Sequence, residues 1–169
     1  IPKSRRYGLV KLLCEQRHRA YDALRLVDIR IFAFYSRFIN ISKPFFMSDL
    51  LKGVIGGEEI QIKPGNFFRD FINPADLLNL IICCYERNFK GALDAYSLNY
   101  VSKQEVLELF KDKYGLKYAL GEGWTSATGD KYKYYSVHKI AENLGFMPKF
   151  TSLRTIEIET DIFLRERNK

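Results

Sequence analysis

Long apolar runs are missing from this chain. The longest, such as LLNLIICCY at 77–85, falls far short of the roughly 20 residues a membrane-spanning helix needs. Runs of charge are missing too: no stretch reaches five like charges, so no nucleic-acid-binding tail is written here. There is no internal repeat, no low-complexity segment and no linker-like stretch. Cysteine is scarce and odd in number: Cys14, Cys83 and Cys84 suit neither a disulfide framework nor metal-ligand spacing. Cys83 and Cys84 lie in an apolar helical run, so they are expected as buried, reduced thiols in a reducing, cytoplasmic compartment. The basic opening IPKSRRYG has no apolar segment after it, so no signal peptide is expected. The chain begins at Ile1 without Met, as a cleaved or engineered start would. Finally, no G-x-G-x-x-G loop follows an early strand, and a complete dinucleotide-binding half cannot be built from these residues.

What is present is an ordinary globular composition. The 169 residues are 47% hydrophobic and 28% charged, enough for one domain with a real core. The net charge of +7 favours an anionic partner, or else describes a solvated basic surface.

Periodicity predicts strands alternating with helices. Leu9, Leu12, Leu13, Ala20, Tyr21 and Leu24 recur at helical spacing from Arg6 to about Leu24. LVDIRIFAF (26–34) is β-branched and aromatic and reads as one strand. A helix is predicted from Pro44 to Val54, with Gly56-Gly57 just beyond it. EIQIKPG (59–65) is a short strand and NFFRDFI (66–72) a further extended segment. Asn73 caps a helix that has Pro74 in its first turn and runs to about Arg87. Asp76 reads as a helix-capping acid. ALDAYSL (92–98) is a strand, and Ser102 to Glu105 forms a capping box that launches a helix to about Lys113. Residues 121–136 read as a loop. Ser136 is expected to cap a short helix ending at Leu144-Gly145, and a last amphipathic helix covers about Ser152 to Arg165. The fold class is α/β with some parallel pairing.

Two Tyr-x-x-x-Lys matches occur, Tyr7 with Lys11 and Tyr135 with Lys139. With 11 Tyr and 15 Lys, roughly one is expected by chance, so the spacing alone is weak. Tyr7 and Lys11 fall on one face of the predicted first helix. There an ammonium can favour the phenolate and bring a phenol toward acid–base work near neutral pH. A Tyr packed over a Lys stem is the plainer alternative. Tyr135 precedes the Ser136 cap, so its match is read as accidental.

The order of pieces around Tyr7 adds to this. YGLVKLLCE followed by VDIRIF resembles the active-site helix and next strand of extended short-chain dehydrogenase/reductases, the family of nucleotide-sugar epimerases, dehydratases and reductases. PFFMSDLLKGVIGGEEIQI, RDFINPADLLNLI, ALDAYSLNYVSKQEV and SVHKIAENLGFMPKFTSL resemble further segments of that family, in order. The resemblance implies the C-terminal part of a Rossmann-type fold. Residues 1–35 would be a remnant of the dinucleotide-binding domain. Residues 36–169 would be mainly a small mixed α/β substrate domain, with one or two segments returning to the cofactor domain.

It also implies roles. Tyr7 would be proton donor or acceptor to the sugar, and Lys11 would bond the nicotinamide ribose and lower the Tyr pKa. Arg69 would contact the nucleotide diphosphate, the backbone around Phe32 would approach the nicotinamide, and Asn40 would bond the substrate unless it is a turn former. The implied cofactor is NAD or NADP, the substrate a nucleotide-diphosphate sugar, and the complete enzyme a homodimer; no metal, nucleic acid or membrane is expected. The N-terminal half, with the Gly-rich loop and a catalytic Ser or Thr, would be missing, since Ser4 is too close to Tyr7. The loop and closing segment lean toward enzymes of deoxy-sugar nucleotides.

There are departures. Ala33 stands where the family has Asn, and Ser36-Arg37 stand where it has Gly-Pro. Ala127-Thr128-Gly129-Asp130 replaces a segment carrying a second diphosphate-binding Arg, for which Arg37 or Lys131 could substitute. A non-catalytic binding or scaffold module that keeps the fold is the alternative reading.

Overall fold

The β-rich run after the first helix does not form one strand. A computed structural model describes residues 3–121 and 132–167, and in it this run bends at Phe32. Helix α1 (Lys3–Arg19) is followed by β1 (Val27–Ile31) and β2 (Ala33–Phe34). Then come α2 (Phe46–Gly56), β3 (Ile60–Ile62), β4 (Phe68–Arg69), β5 (Phe71–Ile72) and α3 (Pro74–Glu86). The chain continues through β6 (Gly91–Ala95), β7 (Val101–Ser102), α4 (Lys103–Tyr114) and β8 (Tyr118–Leu120). It ends with β9 (Lys133–Tyr134), a 3₁₀ helix (Ile140–Leu144) and α5 (Ser152–Arg167).

Parallel pairing dominates. β1 runs beside β6 with Val27 opposite Gly91 and Ile31 opposite Ala95; β2 pairs with β5 and β3 with β8, all parallel. β4 pairs antiparallel with β7 and parallel with β9. The bend at Phe32 lets consecutive residues serve two sheets: β1 meets β6, and β2 turns to β5. A matching break at Asp70 divides β4 from β5. The fold is mixed α/β with a parallel component, as the sequence predicts.

Two apolar clusters hold it. One joins α3, β6 and the 3₁₀ helix through Leu80, Cys84, Leu93, Tyr96, Ala141 and Phe146, with Val27 and Ile29 of β1 packed on it. The larger one gathers Leu50, Leu51, Phe71, Val106, Phe110 and Ile156 from α2, β5, α4 and α5. Tyr35 lies at its edge, 1% exposed, its hydroxyl 2.8 Å from Thr160 Oγ1; burial pushes this phenol up to about 12.

Local signals account for the starts of α3 and α4. Asn73 Oδ1 accepts from Ala75 N at 2.9 Å, and the Ser102–Glu105 capping box closes in both directions. Five expectations need correction. α1 stops at Arg19, because Ala20 N and Tyr21 N turn back to the carbonyls of Arg17 and His18. α2 starts at Phe46, two residues after Pro44. Ser136 caps no helix: Lys139 precedes the 3₁₀ turn, while Ser136 Oγ donates to Asp94 Oδ2 at 2.7 Å. Asp76 does more than face its own helix end. It is buried and accepts Lys149 N at 3.0 Å and Phe150 N at 3.1 Å, pinning the approach to α5. Part of the expected loop is also strand, at β9.

Cys84 is buried as expected, Cys83 is only partly buried, and Cys14 is exposed on α1. No helix among the described residues is long and apolar enough to cross a membrane.

Candidate functional site

Tyr7 and Lys11 share one face of α1. Tyr7 is 64% exposed, and the Lys11 ammonium lies 5.6 Å from its ring centroid, over the ring face. The contact is a cation–π pair, worth about 0.5–1 kcal/mol at an exposed site. Glu15, four residues further on, continues the same stripe. From Arg6 to Arg19 only Glu15 and His18 are even partly buried. Both face β1: His18 Nδ1 lies 2.7 Å from Asp28 Oδ1, and Glu15 takes two bonds from Arg30, at 2.7 and 2.6 Å. Asp28 and Arg30 alternate onto one face of the strand, so α1 is seated on that face by polar contacts.

Beyond the end of β1 a second group forms. Phe32 meets Tyr134 edge to face at 5.2 Å. The Arg69 guanidinium lies 5.7 Å from the Tyr134 ring and 4.7 Å from the Phe67 ring. Its Nη1 donates to Phe68 O at 2.9 Å, and burial lowers its affinity for a proton. β4 carries Arg69 two residues after Phe67 in sequence, and pairing with β9 brings Tyr134 beside it, Arg69 opposite Tyr134 in register. Packed against aromatic rings and bonded to Phe68 O, the guanidinium presents planar donors of the kind that suit a phosphate or carboxylate. Phe32 and Arg69 are thus brought together through Tyr134, a residue that no sequence signal singles out.

Next to Arg69 the buried Asp70 carboxylate accepts Ser97 N at 2.9 Å and lies 3.4 Å from Ser152 Oγ, and the Asp70 carbonyl accepts Ala33 N at 3.1 Å. Burial pushes the Asp70 carboxyl up, against these hydrogen bonds. This residue locks the β4–β5 break that aims Arg69.

The remaining candidates fall elsewhere. Asn40 is exposed and its Oδ1 accepts Ser42 N at 3.0 Å and Ser42 Oγ at 2.6 Å, a turn-forming arrangement. Arg37 does not stand in for a diphosphate ligand: its fork is closed on Glu159 at 2.9 and 2.8 Å. Lys131 and Ala127 to Asp130 lie outside the described residues. Tyr135 stacks on Tyr100 at 4.2 Å and Lys139 sits over Tyr96 at 3.6 Å, so the second Tyr-x-x-x-Lys match forms no pair.

Among the described residues no group of three or more His, Cys, Asp or Glu is placed to hold a metal ion. For a dinucleotide the fit is partial. A phenol and an ammonium on one exposed stripe can reach ribose hydroxyls, but no glycine-rich turn opens a helix among the described residues to cradle a pyrophosphate.

No protein-family model matches the chain, and no curated protein matches it. Solved structures do. MoeE5 in complex with UDP-glucose and NAD is 22% identical with a TM-score of 0.77, over 96% of this chain and 56% of that one. UDP-glucose 4-epimerase from Thermotoga maritima, with UDP-glucose, is 18% identical with a TM-score of 0.78, over 96% and 54%. dTDP-glucose 4,6-dehydratase from Bacillus anthracis, with NAD, is 14% identical with a TM-score of 0.69, over 92% and 49%. The chain spans about half the length of these structures and has the fold of that half, the fold expected from its resemblance to extended short-chain dehydrogenase/reductases.

Proposed function

We propose that this chain is the C-terminal portion of an NAD(P)-dependent nucleotide-sugar epimerase, dehydratase or reductase. One observation carries the proposal. Tyr7 and Lys11 share an exposed helix face in a chain whose fold, over 96% of its length, is that of a structure holding UDP-glucose and NAD. Residues 1–35 then belong to the dinucleotide-binding domain, together with α3 and β6, which pack on β1. The rest forms the sugar-nucleotide part, and the complete enzyme works as a homodimer.

When bound, the nicotinamide supplies or accepts a hydride at a sugar carbon. The chain's own residues manage the proton and the pose. Tyr7 Oη gives a proton to the sugar oxygen or takes one from it. The Lys11 ammonium holds the ribose. The backbone at Phe32 lines the nicotinamide side of the site. Arg69 binds the diphosphate with a fork already oriented by Phe67 and Tyr134. Asn40, its oxygen committed to Ser42, offers its amide N–H to the sugar.

The test is turnover of nucleotide-diphosphate sugars by the full-length protein with NAD or NADP, compared with Tyr7→Phe. The variant is expected to lose about 10²–10⁴-fold in kcat while nucleotide-sugar affinity stays within about threefold. A variant with full rate removes the role of Tyr7. A parent that binds the sugar nucleotide without turnover establishes the binding-module reading. The 169 residues alone are expected to bind dinucleotide weakly and turn nothing over; tight NAD(P) binding by calorimetry would contradict this.

A further inference from the structure

α1 carries Tyr7 and Lys11 but buries almost nothing against the rest of the described chain, so polar contacts set its direction there. The described contacts form a continuous polar chain. Arg30 on β1 turns Nε and Nη2 to the two oxygens of Glu15, at 2.7 and 2.6 Å. Its Nη1 reaches Asp94 Oδ1 at 3.1 Å. Arg30 and Asp94 are register partners in the β1–β6 pair, so the sheet itself fixes their separation. The other oxygen of Asp94 accepts Ser136 Oγ at 2.7 Å, from the segment that follows β9. Both oxygens of this buried carboxylate are therefore taken, and it cannot swing away from Arg30.

We infer that Arg30 is a positioning residue: it transmits the frame of the β1–β6 sheet, through Glu15, to the Tyr7–Lys11 face of α1. This rests on the roles assigned above to Tyr7 and Lys11. A guanidinium is suited to the task. Its donors lie in one rigid plane, so two carboxylates bonded to different edges are fixed in angle as well as distance. The bonds from Arg30 hold the Glu15 carboxyl below its ordinary range, so the pair is charged throughout neutral pH. His18 with Asp28 adds a second point one turn along, at 2.7 Å, which stops rotation about the first.

The lever arm shows why this matters. Eight residues separate Glu15 from Tyr7, about 12 Å at 1.5 Å per residue. A tilt of about 5° at Glu15 shifts Tyr7 by about 1 Å, and a misplacement of that size costs about 10²-fold in rate. Loss of the Arg30 fork should thus be felt in the chemical step more than in substrate binding.

Two measurements test the inference. In the 169-residue chain, hydrogen exchange should show the amides of residues 8–19 losing protection at least tenfold in Arg30→Met, with α4 unchanged. In the full-length protein, Arg30→Met and Glu15→Gln should each lower kcat about tenfold or more. KM for the nucleotide sugar should stay within about threefold, and the double variant should be no worse than Arg30→Met alone. Arg30→Lys, which keeps charge without the fork, should recover only part of the rate. Exchange in α1 that is unaltered by Arg30→Met overturns the tether. A loosened α1 with kcat unchanged, or additive losses in the double variant, overturns the positioning role. A parent with no turnover of any nucleotide sugar removes the proposed reaction instead, and hydrogen exchange then judges the tether by itself.

Discussion

Arg37 and Glu159 meet edge to edge, with Nε and Nη2 at 2.9 and 2.8 Å from the two carboxylate oxygens, and the Arg37 amide reaches the same carboxylate at 2.8 Å. Glu159 is buried at 3% exposure of its side chain, while Arg37 remains 31% exposed. The pair clamps the segment after β2 to α5. Removing Arg37 strands a buried carboxylate, so Arg37→Ala is expected to cost about 3–5 kcal/mol, and Glu159→Gln, which keeps the shape, about 1–2. Burial alone would raise the Glu159 carboxyl, but the hydrogen bonds from Arg37 prevail and hold it below its ordinary value. A depressed carboxyl contributes stability that is present above its unfolded pKa and lost as pH falls through the folded one. The gap between wild type and Glu159→Gln in urea unfolding should therefore be full at pH 7 and shrink below about pH 4.5. A gap that stays constant into acid would show that the charge is not what holds the clamp.

Asp70 should behave in the opposite way. Its carboxyl is pushed up by burial, and the bonds from Ser97 and Ser152 do not fully offset this. A raised carboxyl is a burden once ionised: its favourable contribution is full below the unfolded pKa and lost as pH rises through the folded one. Asp70→Asn keeps an oxygen for Ser97 N while removing the charge. The variant is expected to gain on wild type at pH 7 and to lose that advantage as the pH is lowered toward 4. An Asn variant that is less stable at pH 7 than at pH 4, relative to wild type, would reverse the sign and reject this account.

The legible parts of this fold were those written in local chemistry. Asn73-Pro74 and Ser102 to Glu105 announce helix starts by hydrogen bonds made within four residues, and both form as read. What could not be read depends on distant partners. Nothing near Phe32 says that its strand must bend; the reason lies in β5 and β6, which demand two different sheets of one run. Asp76 looks like a helix-end acid, yet its bonds go to Lys149 and Phe150, more than 70 residues on. Tyr7 and Lys11 stand out less by their shared helix face than by the ordered segments that follow them. Tyr134 was missed because its meaning comes from β9 lying beside β4, and Arg30 because its partners, Glu15 and Asp94, lie in two other elements.

Arg69 and Asn40 should separate cleanly in the full-length protein. Arg69 has a partly desolvated guanidinium packed near Phe67 and Tyr134 and bonded to Phe68 O, whereas Asn40 closes an exposed turn with Ser42. Arg69→Lys keeps the charge and loses the planar fork, and is expected to weaken nucleotide-diphosphate sugar binding by about 10-fold or more, corresponding to about 1.4 kcal/mol or more. Asn40→Ala should change it less than about threefold. Calorimetric titration with a UDP-sugar reads both. Equal, small effects would move the diphosphate away from Arg69.

The chain by itself should associate. On α1, Leu9, Val10, Leu12 and Leu13 are exposed, and on α3 Leu78, Ile81, Ile82 and Tyr85 form an exposed stripe at helical spacing. The stripe on α3 lies opposite the face that buries Leu80 and Cys84, so this helix is apolar on two sides, the pattern of an element packed within a larger body. Water against such faces is costly at about 25 cal/mol per Å², and covering them is favourable whichever surface does so. Light scattering on the 169 residues is expected to show mass rising with concentration. Ile81→Glu combined with Leu78→Glu should lower it, because a charge in a buried stripe opposes contact more than it disturbs an exposed helix face. A monomer at high concentration in the parent chain would mean that these side chains tolerate water as they stand, and the need for a covering half would lose its physical support.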